Sequence, residues 1–277
     1  MPTADSKTRS SPVHDAFKFR KTPFTREVSV DEMLAMPHLD EAKTALVDCI
    51  ERRMSAAVIA PAGAGKTCLL RAVRHQLPEA RYRVHYVKVT ELSKRDLCRE
   101  IATAVGVTPA GTYPMLVRRL QEDFEQIAST DGVRPVLVLD DAHDIRPEVL
   151  GILRVLTNFD WDSRLVVSIV LGGQPPLDKL LARAACEDVA QRIAYYARLR
   201  LLSRDETATY IEHRCTIAGA RTLPFDRAAI DALFEMTRGN LRALDRLAFG
   251  ALDNAAKAGA KTAGPSNVTA ARKHLWS

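Results

Sequence analysis

Residues 56–70 read Ala56-Ala-Val-Ile-Ala60-Pro61-Ala62-Gly63-Ala64-Gly65-Lys66-Thr67-Cys68-Leu-Leu70. The apolar run has the pattern of a buried strand, the glycines permit a tight turn, and the residues after Lys66 open a helix. Strand, glycine turn and helix start in that order are the setting a phosphate-binding loop needs. The backbone from Pro61 to Cys68 would line one concavity, the helix N-terminus would add partial positive charge, and Lys66 would reach the outer phosphates. Thr67 would hold magnesium. The usual motif begins with glycine and here that position is Ala60, so the match rests on Gly63, Gly65, Lys66 and Thr67. The alternative is an ordinary strand-to-helix turn.

A second signal lies about seventy residues on. Val136-Leu-Val-Leu139 is wholly apolar, as in a central strand buried on both faces, and Asp140-Asp141-Ala142-His143 follows at once. Two acids at the end of such a strand suit a magnesium nucleotide: Asp140 would contact the metal through its water shell, and Asp141 would orient or deprotonate the attacking water. A helix N-cap is the other reading of Asp in this place. Taken with the loop, the pair makes ATP with Mg2+ the expected ligand. Asp141 is shorter than the Glu common in that role, which predicts slow turnover.

Between and beyond these motifs, strands and helices alternate. Val84–Val89 is expected as a second strand and Leu165–Leu171 as another, ending in Gly172-Gly173-Gln174. Ser29–Arg53 should form two helices divided by Pro37, and helices are expected over 92–105, 115–127 and 146–156. This order implies an α/β fold with a parallel sheet covered by helices. From about Ser203 the pattern is helical only. The expected organisation is a basic mobile arm over 1–22, a nucleotide-binding α/β domain over 23–202 and a small all-α lid over 203–277. Lys7, Arg9, Lys18, Arg20 and Lys21 make the arm basic, and Phe17, Phe19 and Phe24 suit an extended strap packed on a domain edge.

Composition narrows the classes. With 277 residues, 47% of them apolar, the chain can bury a substantial core. Forty Lys and Arg against thirty-four Asp and Glu give +6, a mild basic excess that favours polyanions. The five cysteines lie at long spacings without a CxxC pair, which points away from zinc and disulfides and toward a reducing cytoplasm. No apolar run is long enough for a bilayer, and no membrane partner is expected.

The motifs APAGAGKT, LVLDDAH, LTNFDWDSR (156–164), VLGGQPPL (170–177), AQRI (190–193), LLSRDETATYIEHR (201–214) and RGNLRALDRLA (238–248) together resemble one group of AAA+ ATPases. It is the P-loop group containing general secretion pathway protein A and the transposon ATPases of the MuB, TniB, IstB and TnsC type. The resemblance runs from about Phe17 onward. It implies that Gln174 faces the γ-phosphate, that Arg192 is offered to a neighbouring subunit's nucleotide, and that Arg242 is the arginine of the lid. Read from the residues alone, Gln174 could bond backbone in a turn, and Arg192 stands among Arg183, Arg198 and Arg200. The resemblance also implies an ATP-dependent homo-oligomer, ring or helical filament, on duplex DNA without sequence preference. Its partner would be a DDE-type transposase or integrase. Lys88, Lys94, Arg95, Thr112 and Tyr113 correspond to the DNA-contacting segments, whereas composition alone would make Lys94 and Arg95 a solvated helix entrance. A secretion-type ATPase ranks lower because such proteins carry a membrane span and a wall-binding domain. A nucleotide switch with negligible hydrolysis is the third reading, and Asp141 sustains it.

Overall fold

The computed structural model describes residues 12–89, 91–130, 132–160 and 163–275. In chain order the helices are α1 (Pro12–Phe17), α2 (Pro37–Glu51), α3 (Lys66–Gln76), α4 (Lys94–Val105) and α5 (Tyr113–Ser129), then α6 (Pro147–Leu150), α7 (Ile152–Leu156), α8 (Pro176–Leu181) and α9 (Glu187–Ala190). They continue as α10 (Arg204–Ile217), α11 (Arg227–Thr237), α12 (Leu241–Lys257) and α13 (Pro265–Leu275). The strands are β1 (Ser55–Ile59), β2 (Tyr82–Lys88), β3 (Arg134–Asp140), β4 (Ser168–Gly173) and β5 (Ile193–Arg198).

Residues 35–200 form one compact unit. Its five strands are all parallel, in the order β2-β3-β4-β1-β5. Every residue of β1 and β4 is buried, as their unbroken apolar runs require in a sheet covered on both faces. Parallel pairing puts all the C-terminal strand ends at one edge. There Lys88 pairs with Asp140, Leu139 with Leu171, and Ile59 with both Gly173 and Arg198. The expected α/β fold with a parallel sheet covered by helices is therefore present.

Some expectations change. The first half of 29–53 is one turn at Val30–Glu32, because Met36 before Pro37 is held extended and the helix starts at the proline. The strand β5 was not legible beforehand: Ile-Ala-Tyr-Tyr-Ala-Arg is short and half-exposed at the sheet edge. Strand β4, which carries Gly172 and Gly173, lies between the loop strand β1 and the acid-pair strand β3.

The second unit joins the described residues up to Leu34 with Leu201 onward. The segment after residue 23 thus belongs with the helices, not with the α/β domain as expected. Residues 12–22 are a built part of this unit: α1 buries Val13, and Phe19 is buried beyond it. Lys7 and Arg9 of the expected arm lie outside the described residues. The reason for the altered boundary is a set of contacts to α10. The N–H groups of Arg20 and Lys21 donate to the Ala218 carbonyl at 2.8 and 3.2 Å. Phe24 meets Phe225 edge-on, with ring centroids 6.0 Å apart.

At the centre of that packing Arg214 is buried. Its guanidinium donates to the Thr25 carbonyl at 2.6 Å and to the Tyr210 hydroxyl at 2.8 Å, and it lies over the Phe24 ring. Tyr210 in turn donates to Asp245 at 2.8 Å. Burial pushes the Asp245 carboxyl up to about 6, against the opposing pull of Arg214, Tyr210 and Arg26. The helices are capped as the sequence invites. Ser203 and Glu206 form a capping box on α10, Asp226 caps α11, and Asn240 caps α12. Between α11 and α12, Gly239 has φ +76°, and a Cβ there would fall 2.0 Å from the Leu202 carbonyl oxygen. Only glycine fits.

Candidate nucleotide site

The loop from Ala60 to Gly65 leaves the buried end of β1 and closes on itself through Ala64 N–H to the Pro61 carbonyl at 3.1 Å. Gly63 and Gly65 are left-handed, at φ +77° and +93°, and Gly65 is the N-cap of α3. The helix therefore begins at Lys66, with Thr67 and Cys68 exposed in its first turn. This is the geometry that presents helix N–H groups to an anion.

Lys66 does not point into empty space. Its ammonium bonds Asp140 Oδ1, and it donates to Asp141 Oδ1 at 2.8 Å. To reach them it crosses the end of β4, where residue 172 is glycine. A Cβ on Gly172 would lie 2.9 Å from Asp140 Oδ1 and 3.5 Å from Lys66 Cδ. The missing side chain is what allows a lysine from one strand–helix unit to meet carboxylates two strands away.

Every carboxylate oxygen of the pair has a donor. Asp140 Oδ1 also accepts the Asp141 N–H at 2.9 Å, and Asp140 Oδ2 accepts the Tyr86 hydroxyl at 2.9 Å. Asp141 Oδ2 lies 3.5 Å from Lys88 Nζ. Tyr86 and Lys88 are two apart on β2, so the pleat puts both side chains on the same face of the sheet. Burial acts to raise the Asp141 carboxyl, but Lys66 and Lys88 outweigh it and hold it below the usual carboxylate range. Burial and the neighbouring Asp140 push the Tyr86 phenol up, so it stays a hydrogen-bond donor. Asp141 sits at φ +60°, a turn that brings the next residues back toward β4. There the ring Nε2 of His143 lies 2.7 Å from Gln174 Nε2.

Lys66, Asp140 and Asp141 are thus in direct contact, and Gln174 follows β4 beside the strand that carries the acids. Tyr86, His143 and Gly172 complete the arrangement and were not singled out in the sequence. Tyr86 and Lys88 have the period-two signal of a strand that ends level with Asp140. The paired glycines before Gln174 mark a place where side chains approach closely.

The other expected residues lie elsewhere. Arg192 precedes β5 at the opposite edge of the sheet, where Ile193 pairs with Ser55, and its guanidinium donates to Thr157 Oγ1 at 3.3 Å and to the Asp188 carbonyl at 3.1 Å. It is no part of its own chain's phosphate loop. Arg242 is exposed in the first turn of α12, in the helical unit. Lys94 and Arg95 are exposed at the start of α4, while Thr112 and Tyr113 begin α5. Arg95 donates to the Gly111 carbonyl at 3.1 Å, which draws the two segments together. Of the 156–164 motif, Trp161 and Asp162 lie outside the described residues.

The fit to a nucleotide with magnesium follows from this donor set. Two left-handed glycines and a helix start suit phosphate, a lysine suits its outer oxygens, and Thr67 with Asp140 offers the oxygen ligands magnesium prefers. Residues 50–181 match the family described as AAA domain. Over those residues the chain is similar to an AAA domain. That match takes in Lys66, Asp140, Asp141 and Gln174 but ends before Arg192 and Arg242.

General secretion pathway protein A of Aeromonas hydrophila is 31% identical over 180 residues, which make up 64% of this chain and 32% of the relative. The chain thus spans about a third of the length of the curated relative it matches. Among solved structures, Cdc6p of Pyrobaculum aerophilum is similar at a TM-score of 0.73 and 18% identity, covering 91% of this chain and 70% of that one. The Aeropyrum pernix ORC1 protein, solved in complex with DNA, gives 0.71 and 18%, covering 93% and 70%. The Thermotoga maritima RuvB branch migration motor gives 0.58 and 17%, covering 91% and 73%. At these identities the likeness is one of fold. Among the described residues no helix is long and apolar enough to cross a membrane.

Proposed function

We propose that this protein is an ATPase that assembles on duplex DNA and regulates a DDE-type transposase or integrase. The observation that carries the nucleotide reading is the contact of Lys66 with Asp140 and Asp141 across Gly172. Lys66 and Lys88 together offset the two carboxylates, and only while Lys66 stays with them. A phosphate in the loop competes for the ammonium, and as Lys66 turns to it Asp140 becomes available to magnesium. The metal would be held by Thr67 and Asp140 and would neutralise charge on the phosphates. Asp141, held as a carboxylate by Lys66 and Lys88, would orient the attacking water or take its proton, and Gln174 would face the γ-phosphate.

Arg192 lies at the far edge of the sheet and therefore acts only on a neighbour's nucleotide in this proposal. A trans arginine contributes about 10³ to 10⁵ in rate in related phosphoryl-transfer systems, so an isolated monomer should be nearly inactive. Arg242 keeps the role of lid arginine that the resemblance implies. For DNA, the support is the cluster of exposed Lys94, Arg95 and Thr112 beside the half-buried Tyr113, drawn together by the Arg95–Gly111 bond, together with the DNA complex of the similar ORC1 protein. Lys88 stands apart from that cluster, because contact with DNA would require it to leave Asp141. The transposase is the inference from the LTNFDWDSR motif and its resemblance to transposon ATPases. The 31% identity to general secretion pathway protein A favours a second reading, an envelope ATPase of that type.

Light scattering and fluorescence anisotropy on random duplex DNA, each with and without a non-hydrolysable ATP analogue, test the proposal. Mass and DNA binding should rise with nucleotide, and log K should fall by about 0.9 per contacted phosphate per log unit of salt. Lys66→Ala should lose nucleotide binding and with it ATP-dependent coating of DNA. A Lys66→Ala protein that still coats DNA would overturn the role given to the loop. Binding that ignores ATP would remove the DNA reading.

A further inference from the structure

His143 is not part of any role assigned above, yet it touches Gln174 and nothing else so closely. It follows the left-handed Asp141 by two residues, in the short turn Ala142–Asp144. Its side chain is only 10% exposed, and its β-carbon is packed where a Cβ on Gly173 would come within 3.3 Å of it. That Cβ would press first on Leu177, at 2.8 Å, so the bare Gly173 lets both Leu177 and the His143 turn pack against the end of β4. Nε2 lies 2.7 Å from the Gln174 carboxamide nitrogen and 3.5 Å from Asp144 Oδ2, while Nδ1 is buried with no hydrogen-bond partner among the described residues.

Donor and acceptor matching decides what this contact does. A γ-phosphate offers acceptors only, so the end of Gln174 turned to it must be the amino group. The carboxamide oxygen is then the end left facing the ring, and it can be satisfied there only by an N–H on His143 Nε2. The nitrogen and oxygen ends of a glutamine occupy nearly the same space, so both orientations fit the observed 2.7 Å separation. With a bare Nε2 the amide turns round and presents its oxygen to the phosphate, an acceptor against acceptors.

We propose that His143 is a positioning residue: as an Nε2–H donor it fixes the carboxamide of Gln174 with its amino group toward the γ-phosphate. This rests on the reading of the site as an ATPase. The effect belongs to turnover more than to binding, because the phosphate loop and Lys66 hold the nucleotide without Gln174.

The test is steady-state ATP hydrolysis with DNA present, alongside Kd for a fluorescent ATP analogue. His143→Phe keeps the ring shape without a donor, and kcat should fall on the order of tenfold with Kd changed by less than about twofold. His143→Gln, whose amide reaches the Nε2 position, should recover most of the rate. His143→Asn, whose amide sits at the Nδ1 position, should not. In a Gln174→Ala background His143→Phe should cost nothing further. Wild-type kcat in His143→Phe, equal recovery by Asn and Gln, or losses that multiply in the double variant would each overturn the proposal. Should His143→Phe fail to fold, the Asn and Gln pair carries the same comparison. Absence of hydrolysis by the unmodified protein is a different outcome, which refutes the ATPase reading itself.

Discussion

Replacing Gly172 by alanine isolates the feature that lets the phosphate loop meet the acid pair. The added Cβ would lie 2.9 Å from Asp140 Oδ1, 3.4 Å from Leu70 Cδ1 and 3.5 Å from Lys66 Cδ. The last two are near ordinary contact, but the first is below the ~3.5 Å at which carbon contacts become favourable, so Asp140 must withdraw by about half an ångström. It cannot do so freely, since its oxygens are held by Lys66, the Asp141 N–H and the Tyr86 hydroxyl. Overpacking of this kind costs about 1–3 kcal/mol. If the displacement falls on the carboxylate, affinity for the magnesium nucleotide should drop by about tenfold to a hundredfold.

Gly151→Ala is the control, because its Cβ would meet nothing closer than 3.6 Å and its φ of −57° is ordinary for alanine. Urea denaturation and titration of a fluorescent ATP analogue, with magnesium and with chelator, should separate the two variants. Gly172→Ala should lose more affinity with magnesium than without, and Gly151→Ala should match the parent or gain slightly in stability. A Gly172→Ala protein with the parent's stability and magnesium-dependent affinity would refute the argument that the missing side chain makes room for the Lys66–Asp140 contact.

In the helical unit, Gly239→Ala puts a carbon 2.0 Å from the Leu202 carbonyl oxygen at a left-handed residue. It should lower stability by about 3 kcal/mol or more in chemical denaturation, and a loss below 1 kcal/mol would contradict the geometry. Asp245 gives a pH signature. Its folded-state carboxyl, raised by burial to about 6 from the ordinary 3.8, favours the protonated form, so its contribution is full below 3.8 and is lost as pH rises through about 6. That gap corresponds to about 3 kcal/mol. Asp245→Asn should flatten the fall in stability between about pH 4 and pH 7, and an unchanged slope would show that another group produces it.

The phosphate loop, the acid pair and Gln174 could be read from the sequence because each depends on a local pattern, a strand with its turn. The lysine and both carboxylates then proved to be in contact. Tyr86, Lys88 and His143 were harder, because their importance depends on register and on a single left-handed residue at Asp141. Gly172 carries no chemistry of its own, so its value appears only when the Lys66 side chain is seen to cross it. Strand β5 lacked the continuous apolar run that marks β1 and β4, being half-exposed at an edge. The boundary near residue 23 misled for another reason. Phe19, Phe24 and the turn at Val30–Glu32 find their partners on α10 and beyond, a relation that no local pattern reports.

That relation has a consequence for synthesis. Thr25 and Arg214 are 189 residues apart in sequence yet hydrogen-bonded. At about 5–20 residues per second, roughly 10–40 s pass between the emergence of the first and the second from the ribosome. Throughout that interval Phe19 and Phe24 have no native surface to cover them, while the whole of residues 35–200 is made and can fold. The segment from Phe19 to Thr25 is therefore made long before the surface that covers it, and a translating ribosome holds it as an apolar segment on which chaperones can act.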